Sequence, residues 1–168
     1  MTIQKKICMV GVYGTGKTCL VQQFVQGIFS VKYLSTVGVK IDRKPMKIGD
    51  QEVTLMLWDL EGRDSEHDVS PSYVKGAHGV IYVCDGTRPE TVIALPGLRE
   101  MVEQTVGEVP SVVALNKIDL TQNWTLSKQA EDNAGGEGIK RVRTSAKTGE
   151  GVESAFQWVA ERMMGGAQ

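Results

Sequence analysis

Two short stretches carry residue types and spacings that do chemistry on phosphates. Gly11-Val12-Tyr13-Gly14-Thr15-Gly16-Lys17-Thr18 fits the pattern GxxxxGK[ST]. An apolar run, Ile7-Cys8-Met9-Val10, precedes it, and residues with helical spacing follow, namely Leu20, Val21, Phe24 and Val25. In that setting the backbone N–H groups of the loop and of the helix start converge on one concavity, which suits phosphate oxygens. Lys17 adds a point charge for the β and γ phosphates, and Thr18 offers a hydroxyl to Mg²⁺. The loop alone implies a nucleoside triphosphate or a nucleotide kinase. It selects neither the base nor the reaction. The second stretch, Asn116-Lys117-Ile118-Asp119, follows the apolar run Val112-Val113-Ala114-Leu115. A carboxylate at Asp119 can accept from both N1–H and the N2 amine of guanine. Adenine offers neither donor and would leave the carboxylate unpaired.

These stretches need a scaffold, and its outline is legible. Short apolar runs alternate with longer amphipathic stretches in the order βαββ, then βαβαβα. Val80–Cys84 and Val112–Leu115 are continuous apolar runs, as befits central parallel strands covered on both faces. Residues 39–48 alternate loosely, Gly49-Asp50 makes a turn, and Val53–Trp58 returns, which predicts a hairpin. Pro45 places the first member of that hairpin at a sheet edge, because proline cannot donate to a ladder. Val152, Ala155, Phe156, Val159, Ala160 and Met163 share one helical face. Residues 134–138 read as a loop and residues 165–168 as a frayed end. The expectation is one α/β domain over 1–168, a mostly parallel sheet with helices on both faces.

Composition excludes other classes. The 168 residues are 41% apolar and 23% charged, which is ordinary for a globular chain. Nineteen basic and twenty acidic side chains leave a net charge of −1, so binding to nucleic acid through a global positive field is not expected. The Lys140-Arg141-Val142-Arg143 cluster reads as the solvated face of a strand. His67 and His78 have no histidine or cysteine at ligand spacing. Cys8, Cys19 and Cys84 lie in apolar stretches without a CxxC, as small core residues of a reducing compartment do. No apolar run is long enough to span a bilayer, and the N-terminus lacks the form of a signal peptide.

Joined with Thr144-Ser145-Ala146-Lys147 and Trp58-Asp59-Leu60-Glu61-Gly62, the two motifs make the chain resemble the Ras-like small GTPases over nearly its whole length. It is most similar to the Rab branch, through residues 33–39 (YLSTVGV) and 72–80 (SYVKGAHGV). The resemblance implies a P-loop NTPase fold: a six-stranded sheet with one antiparallel edge strand. It implies a GTP/GDP switch with Mg²⁺ held by Thr18, Thr36 and, through water, Asp59. Tyr13, Gly14, Thr15, Gly16, Lys17, Thr18 and Cys19 would surround the phosphates. Phe29 would pack edge-on against guanine, Lys117 along its face, and the Ala146 amide on O6, flanked by Ser145 and Lys147. Asn116 would tie the base loop to the phosphate loop. Lys17, Thr36 and the Gly62 amide would act at the γ-phosphate. Effectors and regulators would read residues 29–39 and 60–75.

The chain departs from that family at the hydrolysis end. Arg63 stands where efficient members carry the water-orienting glutamine. A guanidinium accepts no hydrogen bond. It is either a solvated loop arginine or a charge placed on the γ-phosphate in the manner of an arginine finger. Tyr13 replaces a small residue beside the γ-phosphate, and Glu61 adds a carboxylate nearby. Slow hydrolysis follows as the expectation, with a constitutive GTP-bound module as the alternative and a small-substrate phosphotransferase as a distant third. No cysteine follows Cys84, Thr2 stands where myristoylation needs glycine, and no basic run closes the chain. The expectation is a cytoplasmic protein without a lipid anchor of its own, as prokaryotic small GTPases of this type are, or a chain shortened at its end.

Overall fold

The computed structural model describes residues 2–29, 38–61 and 69–165. Six strands form one sheet: β1 (Ile3–Val10), β2 (Gly38–Ile48), β3 (Gln51–Glu61), β4 (Gly79–Asp85), β5 (Ser111–Asn116) and β6 (Lys140–Arg143). Their order is β2-β3-β1-β4-β5-β6. Only β2 and β3 pair antiparallel; the other neighbours run parallel. The expected architecture is therefore present, with its hairpin and its one antiparallel edge strand. Pro45 sits on that edge strand, opposite Thr54.

Alternation along β1 divides the core. Ile7 and Met9 face one side with Leu20, Val21 and Phe24 of α1 (Lys17–Gln26) and Phe156 and Val159 of α6 (Val152–Met163). Phe24 and Phe156 stack there with ring centroids 4.1 Å apart. Cys8 and Val10 face the other side with Tyr82, Cys84, Leu95, Val102 and Leu115. Every residue of β4 is buried. That is why its sequence reads as an unbroken apolar run.

Three features depart from the simple alternation. A four-residue helix, α2 (Pro71–Val74), precedes β4. It is held by Tyr73, whose hydroxyl donates to the carbonyls of Met9 (3.0 Å) and Trp58. The stretch after β4 is two helices, α3 (Pro89–Ile93) and α4 (Leu95–Val106), because Ala94 ends one and opens the other and Pro96 occupies the first turn of the second. Strand β1 begins at Ile3, four residues before its apolar run, because Ile3-Gln4-Lys5-Lys6 pair with Val53–Met56. The expected helix between β5 and β6 is α5 (Lys128–Asn133), capped by Ser127, whose Oγ accepts from the Ala130 amide.

Lys140 and Arg143 of β6 are exposed, as a solvated face requires, yet its arginines also find partners. Arg141 donates to the carbonyls of Ala134 (2.8 Å) and Gly136, and Arg143 lies 3.4 Å from Glu131 and over the Trp124 ring. Arg141 thus ties the loop after α5 to β6, and Arg143 ties α5 and Trp124 to it. His78 is exposed, yet its Nδ1 accepts from the Lys6 amide at 2.9 Å. Cys8 and Cys84 are buried, whereas Cys19 is only half-buried. Among the described residues no helix is long and apolar enough to cross a membrane.

Candidate functional site

Parallel strands of an open α/β sheet present their carboxyl ends to a common crevice, and the crevice opens where the chain reverses direction across the sheet. Here β1 is that place: β3 flanks it on one side and β4 on the other. The loop 11–16 leaves β1 and enters α1, which starts at Lys17. Gly14 and Gly16 have φ of 79° and 100°, a region closed to most side chains. A Cβ at Gly16 would also run into the Asn116 amide nitrogen. Lys17 is buried, and its Nζ donates to the carbonyls of Gly11 and Val12, both at 3.0 Å. Thr15 is fully buried and its hydroxyl donates to Val12 O at 3.0 Å.

Thr18, the second residue of α1, has a hydroxyl that donates to Asp59 Oδ2 at 2.5 Å, near the end of β3. Thr18 and Asp59 are both buried. Two hard oxygen donors beside a phosphate concavity fit Mg²⁺, which keeps waters and takes only one or two protein ligands plus substrate phosphate. Among the described residues no cluster of three His, Cys, Asp or Glu forms an all-protein metal cage.

The second motif leaves β5. Asn116 donates from Nδ2 to Thr15 O at 2.9 Å and accepts at Oδ1 from the Thr144 hydroxyl at 3.0 Å. Lys117 is the one non-glycine residue with positive φ among those described, at 71°. Strain of that kind persists where surroundings fix it. Its Nζ lies 2.9 Å from Gly14 O and 2.9 Å from Asp85 Oδ2. Asp119 accepts from the Ser145 hydroxyl at 2.7 Å. Ser145 and Ala146 are buried, Lys147 is exposed on the turn, and Ala146 O accepts from Gln23 Nε2 at 2.7 Å. Phe29 is 38% exposed, so it is not a core aromatic. Cys19 lies one residue beyond Thr18 on α1. Thr36, Gly62, Arg63 and His67, with the rest of residues 30–37 and 62–68, and the last three residues lie outside the described residues.

The pattern reading passed over two residues that the fold brings here. Asp85 ends β4, with its side chain 1% exposed. Burial pushes its carboxyl up. The Thr87 hydroxyl and amide and the Lys117 ammonium outweigh that and hold it below the ordinary carboxylate value. Arg88 Nη1 donates to Tyr13 O at 3.1 Å. A polar residue at the carboxyl end of a buried strand is the signal that marks Asp85; Arg88 carries no local signal.

A phosphate loop between the central strand and the first helix, at the carboxyl edge of a six-stranded sheet, defines a P-loop nucleotide-binding protein. The Ras family profile matches residues 6–165. Ras-related protein Rab-30 of Homo sapiens is 34% identical over 165 residues, which is 97% of this chain and 81% of the relative. Ras-related protein Rab-1 of Theileria parva is 32% identical over 161 residues, 94% of this chain and 73% of the relative. The chain belongs to the Ras family and is similar to its Rab branch. It is a small GTPase, a GTP-binding switch.

Proposed function

We propose that this switch binds GTP and GDP with Mg²⁺ and hydrolyses GTP slowly. Its described phosphate loop, its base-side carboxylate Asp119 and the pair Thr18–Asp59 support the binding half. The carrying observation is that Asp119 accepts from the Ser145 hydroxyl at 2.7 Å. One carboxylate oxygen is thereby fixed and the group is oriented for two guanine donors. Lys17 would turn from the loop carbonyls to the β and γ phosphates. Thr18, Asp59 and Thr36 would hold Mg²⁺, which when bound neutralises charge on the β and γ oxygens.

Slow hydrolysis rests on composition at the γ end. Arg63 supplies no acceptor for the attacking water, a side chain as bulky as Tyr13 would crowd the space beside the γ-phosphate, and Glu61 would add like charge unless it turns away. These same residues favour the second reading, a module that stays GTP-bound and recruits partners constantly. The nucleotide carried through purification separates the two: GDP supports a working hydrolase, and retained GTP supports the module. Single-turnover hydrolysis then gives the rate.

The switch would act through residues 29–39 and 60–75, where effectors and regulators would dock. Hydrogen exchange over 29–39 tests that. Protection with a GTP analogue should exceed protection with GDP, and Thr36→Ala should abolish the difference while leaving affinity nearly intact. Equal protection in the wild type removes the switch segment. A cytoplasmic location is supported by three cysteines that form no disulfide.

A further inference from the structure

Three consecutive carbonyls of the phosphate loop are each held by a side chain from the carboxyl ends of β4 and β5. Tyr13 O accepts from Arg88 Nη1 at 3.1 Å, Gly14 O from Lys117 Nζ at 2.9 Å, and Thr15 O from Asn116 Nδ2 at 2.9 Å. No described peptide bond is cis. In a planar trans peptide the carbonyl and the N–H that follows it point in opposite directions. Fixing the carbonyls of residues 13, 14 and 15 on one side therefore turns the N–H groups of Gly14, Thr15 and Gly16 to the other. That side is the concavity that would receive phosphate.

Asn116 and Lys117 belong to the base motif. Arg88 belongs to no motif read above, yet its placement is tightly determined. Its amide donates to Asp85 O at 3.0 Å, and its carbonyl accepts from both the Thr91 amide (3.0 Å) and the Thr91 hydroxyl (2.8 Å). Pro89 follows and opens α3. The guanidinium lies 4.0 Å from Asp85 Oδ2 and 3.7 Å from Glu90 Oε2, and 3.0 Å from where a Cβ on Gly14 would stand. The Arg88 side chain is 39% exposed. Its ion pairs therefore contribute little by themselves, and the bond to the loop carbonyl is what ties it to the site.

We infer that Arg88 is a positioning residue of the triphosphate site: its guanidinium fixes the Tyr13–Gly14 peptide so that the Gly14 N–H faces the γ end of the nucleotide. The inference rests on the guanine-nucleotide reading above, in which Tyr13 stands beside the γ-phosphate. Arg88 acts through the backbone of the loop, by its bond to the Tyr13 carbonyl. It also limits where the Tyr13 side chain can go, since the Tyr13 carbonyl is held.

The test is competition of GDP and a non-hydrolysable GTP analogue against a fluorescent guanine nucleotide, for the wild type, Arg88→Ala and Arg88→Lys. Arg88→Ala should weaken the triphosphate analogue about tenfold, the scale of one hydrogen bond to a charged group, and GDP by no more than about threefold. Arg88→Lys keeps the charge but not the planar fork, so its triphosphate loss should be about threefold. A merely structural role would weaken both nucleotides alike and lower the thermal midpoint without nucleotide. Equal weakening of the two nucleotides, or wild-type affinity for both in Arg88→Ala, overturns the inference. If Arg88→Ala fails to fold, Arg88→Gln carries the test with the same two thresholds. Failure of the wild type to bind either guanine nucleotide is a separate result: it overturns the nucleotide reading, and the inference falls with it.

Discussion

The base side and the metal side of this site are built differently. On the base side, Asn116, Lys117, Asp119, Thr144, Ser145 and Asp85 bond to one another and to the phosphate loop. Their partners are mostly backbone carbonyls and neighbouring strand ends, so the geometry belongs to the fold. On the metal side, Thr18 and Asp59 meet each other, and Lys17 is folded back on the carbonyls of Gly11 and Val12. Under the proposed function, those groups would exchange these partners for phosphate and metal. The difference teaches a division of labour. Preorganised groups lose little freedom on binding and supply affinity. Groups that must change partners make the site respond to which nucleotide is there.

The hardest way to break this division is to invert Asp119. Asp119→Asn presents a donor where guanine needs an acceptor. GDP and GTP affinity should fall by about 3 kcal/mol or more, because a charge-assisted pair is removed and its partners are left unpaired. Xanthine nucleotides, with a carbonyl at C2, should gain in relative affinity. Competition titration checks both, and unchanged GDP affinity would end the assignment of Asp119 as the base-reading group.

On the metal side the effect should be smaller and should depend on the nucleotide. Thr18→Asn removes the hydroxyl 2.5 Å from Asp59 Oδ2. Mg²⁺-dependent triphosphate binding should weaken by about 2 kcal/mol and diphosphate binding by less, since the triphosphate brings more charge for a metal held by Thr18 and Asp59 to neutralise. Titration with and without a chelator separates the two. Equal losses for the two nucleotides would make Thr18 part of the preorganised half.

How much of this was legible beforehand follows the same line. Strands β4 and β5 announced themselves because burial on both faces requires unbroken apolar runs, and α6 did so through its repeat. Pro45 located the edge correctly because its constraint is local. The first half of β1 was not legible: Lys5 and Lys6 are fixed by ladder bonds to β3, which leave no mark on composition. Helix α2 was missed since four residues are too few for a period, and Tyr73 anchors it through contacts more than a dozen residues away. In the site, the phosphate loop and the base motif were readable because backbone geometry and guanine chemistry restrict residue types at fixed spacing. Asp85 and Arg88 were not, because what selects them is the distance across space to Lys117 and Tyr13.

Hydrolysis offers a third and smaller lever. With Arg63 and Tyr13 in place, turnover should not exceed about 10⁻⁴ per second, the scale of intrinsic hydrolysis in Ras. Arg63→Gln alone should recover less than the double change Tyr13→Gly with Arg63→Gln, by about tenfold or 1.4 kcal/mol, if both residues obstruct one transition state. Single-turnover assays decide. A fast wild type that slows about tenfold with Arg63→Ala would make Arg63 a built-in arginine finger instead.

The smallest effect concerns the anchor beneath Lys117 and is read through pH. Asp85 is buried, bonded to Thr87 and paired with Lys117 at 2.9 Å, and its carboxyl is held below the ordinary value of 3.8. A group whose folded value is depressed adds stability above its unfolded value and loses it as pH falls through the folded one. The contribution is thus complete at neutral pH and starts to disappear only below about pH 4. Asp85→Asn removes the charge but keeps the shape. Against this variant, the wild type should be more stable to urea by about 1 kcal/mol at pH 7, with a gap that holds down to about pH 5 and closes toward pH 3. The variant should also bind GDP more weakly, since Lys117 would lose the partner that aims it at Gly14 O. A gap that widens as pH falls would mean that the desolvation cost of the buried carboxylate outweighs its bonds. The base side would then owe its order to Asn116 and Ser145, with the Asp85–Lys117 pair as a cost carried by the fold.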